Sequence, residues 1–199
     1  RHYLMTVAKD RPITLEEYLN YDDGTDTRYE LIDGMLVEMG AESDGNIMIG
    51  TFLIIVFSRF IPYQLIRRGS EVEVSGNLAN TRIPDLLVLT EEWLAAVAGK
   101  KRSLITLDMP APALAVEEVS SSDTDKASRE RDYVTKRREY SQRGISEYWL
   151  IDPVAEVVLV LALVDGQYQE QAFRSSDSIA SSVLPQLTLS AMQILKGEL

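Results

Sequence analysis

Residues 114–153 constrain the fold of this chain more than any other stretch. They begin with an apolar segment, LAVEEV, continue through a serine-rich loop and a charged segment, and end with a second apolar segment, EYWLID. Two apolar strands separated by a helical segment are typical of a βαβ unit. Because such units place their functional groups at the carboxyl ends of the strands, Glu117 and Glu118 become candidates for a functional site.

The charged segment carries Asp132, Lys136 and Tyr140 at intervals of four residues. Each interval rotates by only about 40° on a helix with 3.6 residues per turn, so the three side chains share one face. We predict that this face is directed towards the carboxylates at the end of the first strand. The alternative is a solvated surface helix with ordinary ion pairs.

Length and composition predict one α/β domain, residues 5–199, because 199 residues with 45% hydrophobic content can bury a substantial core. Residues 1–4, which precede Met5, are expected to be an expression remnant and are left out of the predicted domain. The net charge of -11 disfavours a broad nucleic-acid-binding surface, since phosphate binding is mainly electrostatic.

The residue types that are missing narrow the possible chemistry. The chain has no cysteine, and its one histidine is His2 in the leader. Disulfides, thiolate sites and a Ser-His-Asp mechanism are therefore excluded. A bound metal must sit among oxygen ligands, which favours magnesium, manganese or calcium.

No signal peptide is recognisable, and the apolar run at residues 47–57 is shorter than the roughly 20 residues that a membrane span needs. We predict a buried helix there, beginning after residue 46 and ending near Pro62, and a cytoplasmic protein without membrane contact.

Thr14 and Glu17 match a capping box for an opening helix. The dipeptides at 33–34 and 165–166 are both Asp-Gly, which predicts two β-hairpins. The tail predicts a short strand and a final helix.

Three carboxylates lie within or beside apolar strands. Glu30 interrupts the first strand of the first hairpin, where an exposed-face residue is the alternative. Asp85 follows Pro84 at the head of the strand LLVL, where a plain turn residue is the alternative.

Adjacent strands lie about 4.8 Å apart, so Asp85 and Glu117 are predicted to hold one divalent cation. Such a cation activates a phosphodiester for hydrolysis, and Lys136 would orient water or stabilise developing charge.

Taken together, these motifs resemble a known family. The order YELIDG, PDLLVL, AVEEVS, D-x-x-x-K-x-x-x-Y and GISEYWLIDP is similar to that of the Uma-two family, over residues 14–195. The family is classed with the restriction-endonuclease-like proteins of the PD-(D/E)XK nuclease superfamily. The resemblance implies a central mixed sheet flanked by helices, an N-terminal hairpin, a C-terminal hairpin extension, Mg²⁺ or Mn²⁺ dependence and phosphodiester hydrolysis.

The resemblance also assigns roles to individual residues. Asp85 matches the aspartate of the PD motif and Glu117 the acidic residue of the next motif, so both are the implied metal ligands. Glu30 matches the glutamate of YELIDG. Val119 stands where the superfamily places its lysine, and the family pattern assigns that catalytic role to Lys136.

Supporting residues follow from the same pattern. Asp132 and Tyr140 flank the lysine on its helix, and Ser120 ends the AVEEVS motif. Asn46 stands where many relatives carry a histidine; it offers a neutral oxygen but no general base. Glu118 replaces a residue that is usually apolar, and a charge on a core-facing strand position is costly unless it is paired.

Two functions remain open at this point. The first is a metal-dependent nuclease that acts on nucleic acid, most simply DNA, as a homodimer. The second is a catalytically silent protein that keeps the nuclease fold as a binding or interaction module, because a fold does not fix a function. Glycoside hydrolysis by paired carboxylates is a weaker third candidate, since it leaves Lys136 without a role.

Overall fold

The computed structural model describes residues 3–4, 10–100, 102–119 and 126–199, with side chains from residue 10 onwards. Twelve strands lie in these ranges: β1 (Tyr3–Leu4), β2 (Tyr29–Ile32), β3 (Met35–Met39), β4 (Ile66–Arg67), β5 (Glu71–Val74), β6 (Asn80–Arg82), β7 (Leu86–Val88), β8 (Leu104–Ile105), β9 (Leu114–Glu118), β10 (Glu147–Asp152), β11 (Val157–Val164) and β12 (Gln167–Phe173).

The described residues also form six α-helices: α1 (Leu15–Leu19), α2 (Asp44–Phe57), α3 (Glu91–Val97), α4 (Lys126–Glu130), α5 (Lys136–Arg143) and α6 (Ala191–Lys196). A π-helical turn, Arg131–Thr135, joins α4 to α5 without a break. A short 3₁₀ turn, Tyr63–Leu65, precedes β4.

The central sheet has six strands in the order β12, β11, β10, β9, β7, β4. Strands β9 and β10 are parallel, with Leu114 opposite Glu147, and the other neighbours in this sheet are antiparallel. The helix α4–α5 connects the parallel pair, so the predicted βαβ unit is confirmed. The central sheet is mixed and helices flank it, so the predicted fold class is confirmed.

Each face of the central sheet has its own apolar core. Helices α2 and α6 cover one face, where Leu53 packs in one cluster with Val116 and Trp149. On the other face Ala115, Val119 and Tyr140 belong to a second cluster, which includes β5. Since side chains alternate along β9, Val116 and residue 118 point towards α2, whereas residues 115, 117 and 119 point towards α5.

Two smaller sheets extend the molecule. One has the order β6, β5, β8, and the other has the order β1, β3, β2. Strand β1, which lies in the leader that the sequence prediction left out, pairs through Tyr3 with Met39 and through Leu4 with Glu38.

Local signals in the sequence determine several of the turns. The Thr14 hydroxyl accepts a hydrogen bond from the Glu17 N–H at 3.1 Å, and the Thr14 N–H donates to the Glu17 carboxylate at 2.9 Å, which confirms the capping box. Both Asp-Gly dipeptides have positive φ at each residue and form the turns of hairpins β2–β3 and β11–β12. The predicted N-terminal and C-terminal hairpins are therefore confirmed.

Two boundaries differ from the prediction. Helix α2 begins at Asp44 rather than after residue 46, because the Ser43 side chain caps it by accepting from the Asn46 N–H at 3.2 Å. It ends at Phe57, before Pro62. The strand predicted in the tail is reduced to a single bridge between Ser178 and Ser190. Within the described residues, no helix has the length and apolar character needed to cross a bilayer.

The two hairpin glycines provide a test of packing at the first turn. A Cβ added at Gly34 would lie 2.8 Å from the Pro12 Cβ, whereas one added at Gly166 would meet nothing within 4 Å. Both alanine substitutions force a left-handed residue, at about 1 kcal/mol or more. We expect Gly34→Ala to lower the free energy of unfolding by a further 1–3 kcal/mol or so because of overpacking. Urea denaturation of both variants measures this difference, and equal losses would contradict it.

Candidate functional site

Asp85 and Glu117 lie side by side where β7 begins and β9 ends. Leu86 pairs with Val116 across the antiparallel strands, so the residue preceding one lies beside the residue following the other. Both carboxylates are buried. The Glu118 N–H donates to Asp85 Oδ2 at 2.8 Å, which fixes the aspartate against β9.

Helix α5 contacts both oxygens of the Glu117 carboxylate. Lys136 Nζ lies 3.0 Å from Glu117 Oε2, and the Tyr140 hydroxyl donates to Glu117 Oε1 at 2.7 Å. Lys136 Nζ also lies 3.1 Å from Asp132 Oδ1. The three helix residues that sequence spacing placed on one face thus surround one buried acid.

The helix is not a regular α-helix at this point. Its turn over residues 131–135 is π-helical, and the Lys136 N–H bonds back to the Arg131 carbonyl. A π-turn adds one residue to a helical turn and occurs often at functional sites. Here it lies directly before Lys136, so it contributes to the position from which the lysine reaches Glu117.

Burial dominates the electrostatics of this group. It raises the pKa of Glu117 to about 7, and the charge of Lys136 opposes that shift. The carboxylates of Asp85, Asp132 and Glu30 act in the same direction as burial. Burial also raises the pKa of Tyr140 well above its ordinary value, so its hydroxyl remains a donor to Glu117. The site therefore favours additional positive charge.

Glu30 lies deeper and contacts the segment that precedes Asp85. Its Oε1 accepts from the Ile83 N–H at 2.8 Å, and its Oε2 lies 3.2 Å from Arg82 Nη1. Arg82 also forms a two-point ion pair with Glu139, at 2.7 and 2.9 Å. This network ties β2 and α5 to the residues immediately before the PD motif.

Arg82 and Glu139 are not among the site residues that the sequence predicted. The one available signal was the position of Arg82 within the run TRIPDLLVL, where a charge between buried positions needs a partner. Nothing in the sequence identified Glu139 as that partner, since 57 residues separate the two.

A second group of acids lies on the other side of β9. Glu42, Asp85 and Glu118 each offer one carboxylate oxygen, and these three oxygens lie within 4.8 Å of one another. Glu42 comes from the loop before α2, its side chain is 16% exposed, and it pairs with Arg68 at 2.7 Å. The predicted pair of Asp85 and Glu117 is thus accompanied by two acids that the sequence did not group with Asp85.

Glu118 is the acid that stood out from the family pattern, and its surroundings explain how it is accommodated. It is 2% exposed and is directed towards α2, where a Cβ on Gly50 would lie 3.3 Å from Glu118 Oε1. Burial raises the pKa of Glu118 well above its ordinary value, and the charges of Asp85 and Glu42 add to this shift. The glycine in α2 leaves the space that the carboxylate occupies.

Two predicted supporting residues remain, Asn46 and Ser120, and the structure describes only the first of them. Asn46 is buried in the first turn of α2, four residues before Gly50 and hence on the same helix face. That face is the one that approaches Glu118. Ser120 lies outside the described residues, so its predicted supporting role stays a prediction.

Comparison with solved structures defines the class of this fold. The crystal structure of a protein from Anabaena variabilis, described as a "putative nuclease belonging to DUF820", superimposes with a TM-score of 0.68. The match covers 94% of this chain and 99% of that one at 18% sequence identity. The chain therefore shares the fold of that nuclease-like protein, which agrees with the restriction-endonuclease-like core that was predicted.

Comparison with family profiles is more specific. Residues 15–192 match the Uma-two family (Uma2), whose description is "Putative restriction endonuclease". The chain belongs to this family, as its motifs predicted. No curated protein shows significant sequence similarity to it.

The network around Arg82 gives a stability test. Arg82→Met keeps most of the apolar length but leaves Glu30 and Glu139 buried without the guanidinium, and removal of one partner from a buried ion pair costs about 3–5 kcal/mol. We expect a loss of that size in urea denaturation. The control is Arg137→Met, which breaks the half-exposed pair with Glu170 and should cost about 1 kcal/mol or less. Similar losses in the two variants would show that the Arg82 network is not a major stabilising element.

Proposed function

We propose that this protein is a divalent-metal-dependent nuclease that hydrolyses phosphodiester bonds, with DNA as its substrate. Membership of the Uma-two family, with its description "Putative restriction endonuclease", and the nuclease-like fold support nucleic acid as the substrate class. One observation supports the chemistry above all: Lys136 Nζ reaches Glu117 Oε2 at 3.0 Å from a helix, while apolar Val119 occupies the strand position of the superfamily lysine.

The donor set fits a hard cation such as Mg²⁺ or Mn²⁺. Asp85 and Glu117 provide oxygen ligands only, which is the chemistry that these ions prefer. Burial raises the pKa of Glu117, and the neighbouring acids add to this shift more weakly, so a bound cation would stabilise the ionised carboxylate. When bound, a divalent cation supplies Lewis-acid polarisation of a phosphodiester oxygen and stabilises the charge that develops on it.

The residues of the chain have separate tasks in this proposal. Lys136 supplies an ammonium group for the developing phosphate charge, and Asp132 orients that ammonium. Tyr140 holds the Glu117 carboxylate in place through its short hydrogen bond. Glu30 positions Asp85 indirectly, because it binds the Ile83 N–H two residues earlier in the chain.

The exposure of residues at one edge supports a direction from which the substrate approaches the site. Lys136 and Glu117 are only 3% and 4% exposed. On the other side of β9, Glu42 near Asp85 is partly exposed, and its partner Arg68 is more exposed. An exposed guanidinium beside a group of acids is suited to contact a phosphate of the nucleic-acid backbone. We therefore propose that substrate approaches along the side of the molecule that carries Arg68.

The burial of the lysine and the charge of the chain favour a second candidate function. Lys136 is already shared between two carboxylates, and a net charge of -11 opposes general nucleic-acid binding. Both features suit a catalytically silent binding module that retains the nuclease fold. Cleavage by the wild-type protein separates the two candidates, since a silent module has none.

The nuclease proposal is tested by cleavage of single-stranded and double-stranded DNA and of RNA in Mg²⁺ or Mn²⁺. We expect Glu117→Gln and Lys136→Met to slow cleavage by about 100-fold or more, because the first removes a proposed metal ligand and the second removes the ammonium that faces the developing phosphate charge. Glu130→Gln and Lys126→Met are matched controls on exposed positions of the same helix and should cleave as the wild type does. Circular dichroism establishes that all four variants fold.

Two results would contradict the nuclease proposal. One is cleavage that survives Glu117→Gln and Lys136→Met unchanged. The other is wild-type protein that leaves all three nucleic acids intact with either ion, which would favour the silent binding module.

We also propose that the protein is a homodimer. Ile47, Met48 and Ile55 are exposed on α2, and two of them recur at an interval of eight residues along one side of that helix. Light scattering after size exclusion should give twice the chain mass of 22.3 kDa. Ile55→Asp should reduce that value to one chain mass, and Thr51→Asp on the same side should act likewise. A monomeric wild-type protein would rule the dimer out.

A further inference from the structure

Glu42 and Glu118 lie close to Asp85 but have no role in the proposed chemistry. Strand alternation directs Glu118 away from Lys136, towards α2. Its carboxylate therefore receives no contact from the ammonium that compensates Glu117. Asp85 belongs to both groups, since its charge acts on Glu117 and on Glu118 alike.

Glu118 is the residue that indicates a missing ligand. It is 2% exposed, and its Oε1 has no hydrogen-bond partner in any part of the chain that the structure describes. A buried carboxylate without a partner is costly, so such groups in native proteins are normally paired or bind metals. Pairing with a helix dipole is not available here, because Gly50 lies in the middle of α2.

We infer that Glu42, Asp85 and Glu118 bind a hard divalent cation, at a position separate from the Asp85–Glu117 pair but sharing Asp85 with it. Oxygens that coordinate one such ion at about 2.1–2.5 Å are at most about 4–5 Å apart. The three oxygens already lie within 4.8 Å of one another. The inference goes beyond the proposed nuclease activity and does not depend on it.

The net charge of this group of acids and its partly exposed edge both suit a divalent cation. Counting Glu42, Asp85, Glu118 and Arg68 alone, three carboxylates and one guanidinium carry a formal charge of -2, which a divalent cation balances. Arg68 contacts Glu42 at 2.7 Å, on the partly exposed side of the group. The solvent-facing edge of the group is therefore at Glu42, whereas Asp85 and Glu118 are buried.

The three ligands come from separate parts of the fold. Glu42 precedes α2, Asp85 precedes β7, and Glu118 ends β9. A cation held by all three would fasten the beginning of α2 to the ends of two central strands.

The test is titration of the protein, residues 1–199, with Mn²⁺ by isothermal calorimetry, together with the Mn²⁺-induced change in melting temperature. We expect Glu118→Gln and Glu42→Gln each to weaken one binding event by at least tenfold and to reduce the shift in melting temperature. Asp44→Asn, an exposed acid two residues from Glu42, is the matched control and should bind as the wild type does.

The outcomes separate this inference from the nuclease proposal. Glu117→Gln should retain the event that Glu118→Gln loses, whether or not any variant cleaves nucleic acid. The inference is overturned if Glu42→Gln and Glu118→Gln bind Mn²⁺ as tightly as Asp44→Asn does. If Glu118→Gln fails to fold, Glu42→Gln at the solvent edge decides the question by the same comparison.

Discussion

The contact between Glu117 and helix α5 is the interaction on which the site depends. An ionised carboxylate that is taken out of water loses several kcal/mol of solvation unless charge and hydrogen bonds replace it. Lys136 and Tyr140 provide that replacement, one for each carboxylate oxygen. The same contacts hold the helix against the end of β9, so the fold and the arrangement of charged groups are secured together. In this chain the lysine therefore lies on a helix, and the acid that it contacts lies on a strand.

Asp85 lies where two unlike environments meet. On one side of β9, Glu117 has an ammonium and a hydroxyl as partners; on the other, Glu118 has two further acids and the bare backbone of Gly50. Alternation along a strand produces this separation automatically, because consecutive side chains point to opposite faces. Two adjacent glutamates in one short motif therefore have different electrostatic surroundings. Among the described residues, Glu117 contacts the ammonium of Lys136, whereas the positive charge that acts on Glu118 is that of Arg68.

The elements that sequence analysis predicted well are those set by local chemistry. A capping box needs only Thr14 and Glu17, and an Asp-Gly turn needs only residues that tolerate positive φ. The start of α2 is an instructive failure, because its polar first turn suggested a loop. Ser43 caps that turn and the fold buries Asn46, so tertiary burial outweighs the poor helix propensity of Asp44 and Gly45.

By itself, the sequence determined the family, the βαβ unit and the shared face of the lysine helix, because spacing along a strand or helix fixes which side chains are neighbours. Only the tertiary structure brought Arg82 to Glu139 and Glu42 to Glu118. The second pair is 76 residues apart, and its approach depends on how α2 packs across the end of β9. Periodicity carries no information about such contacts, since they arise from the docking of whole elements rather than from the conformation of any one of them.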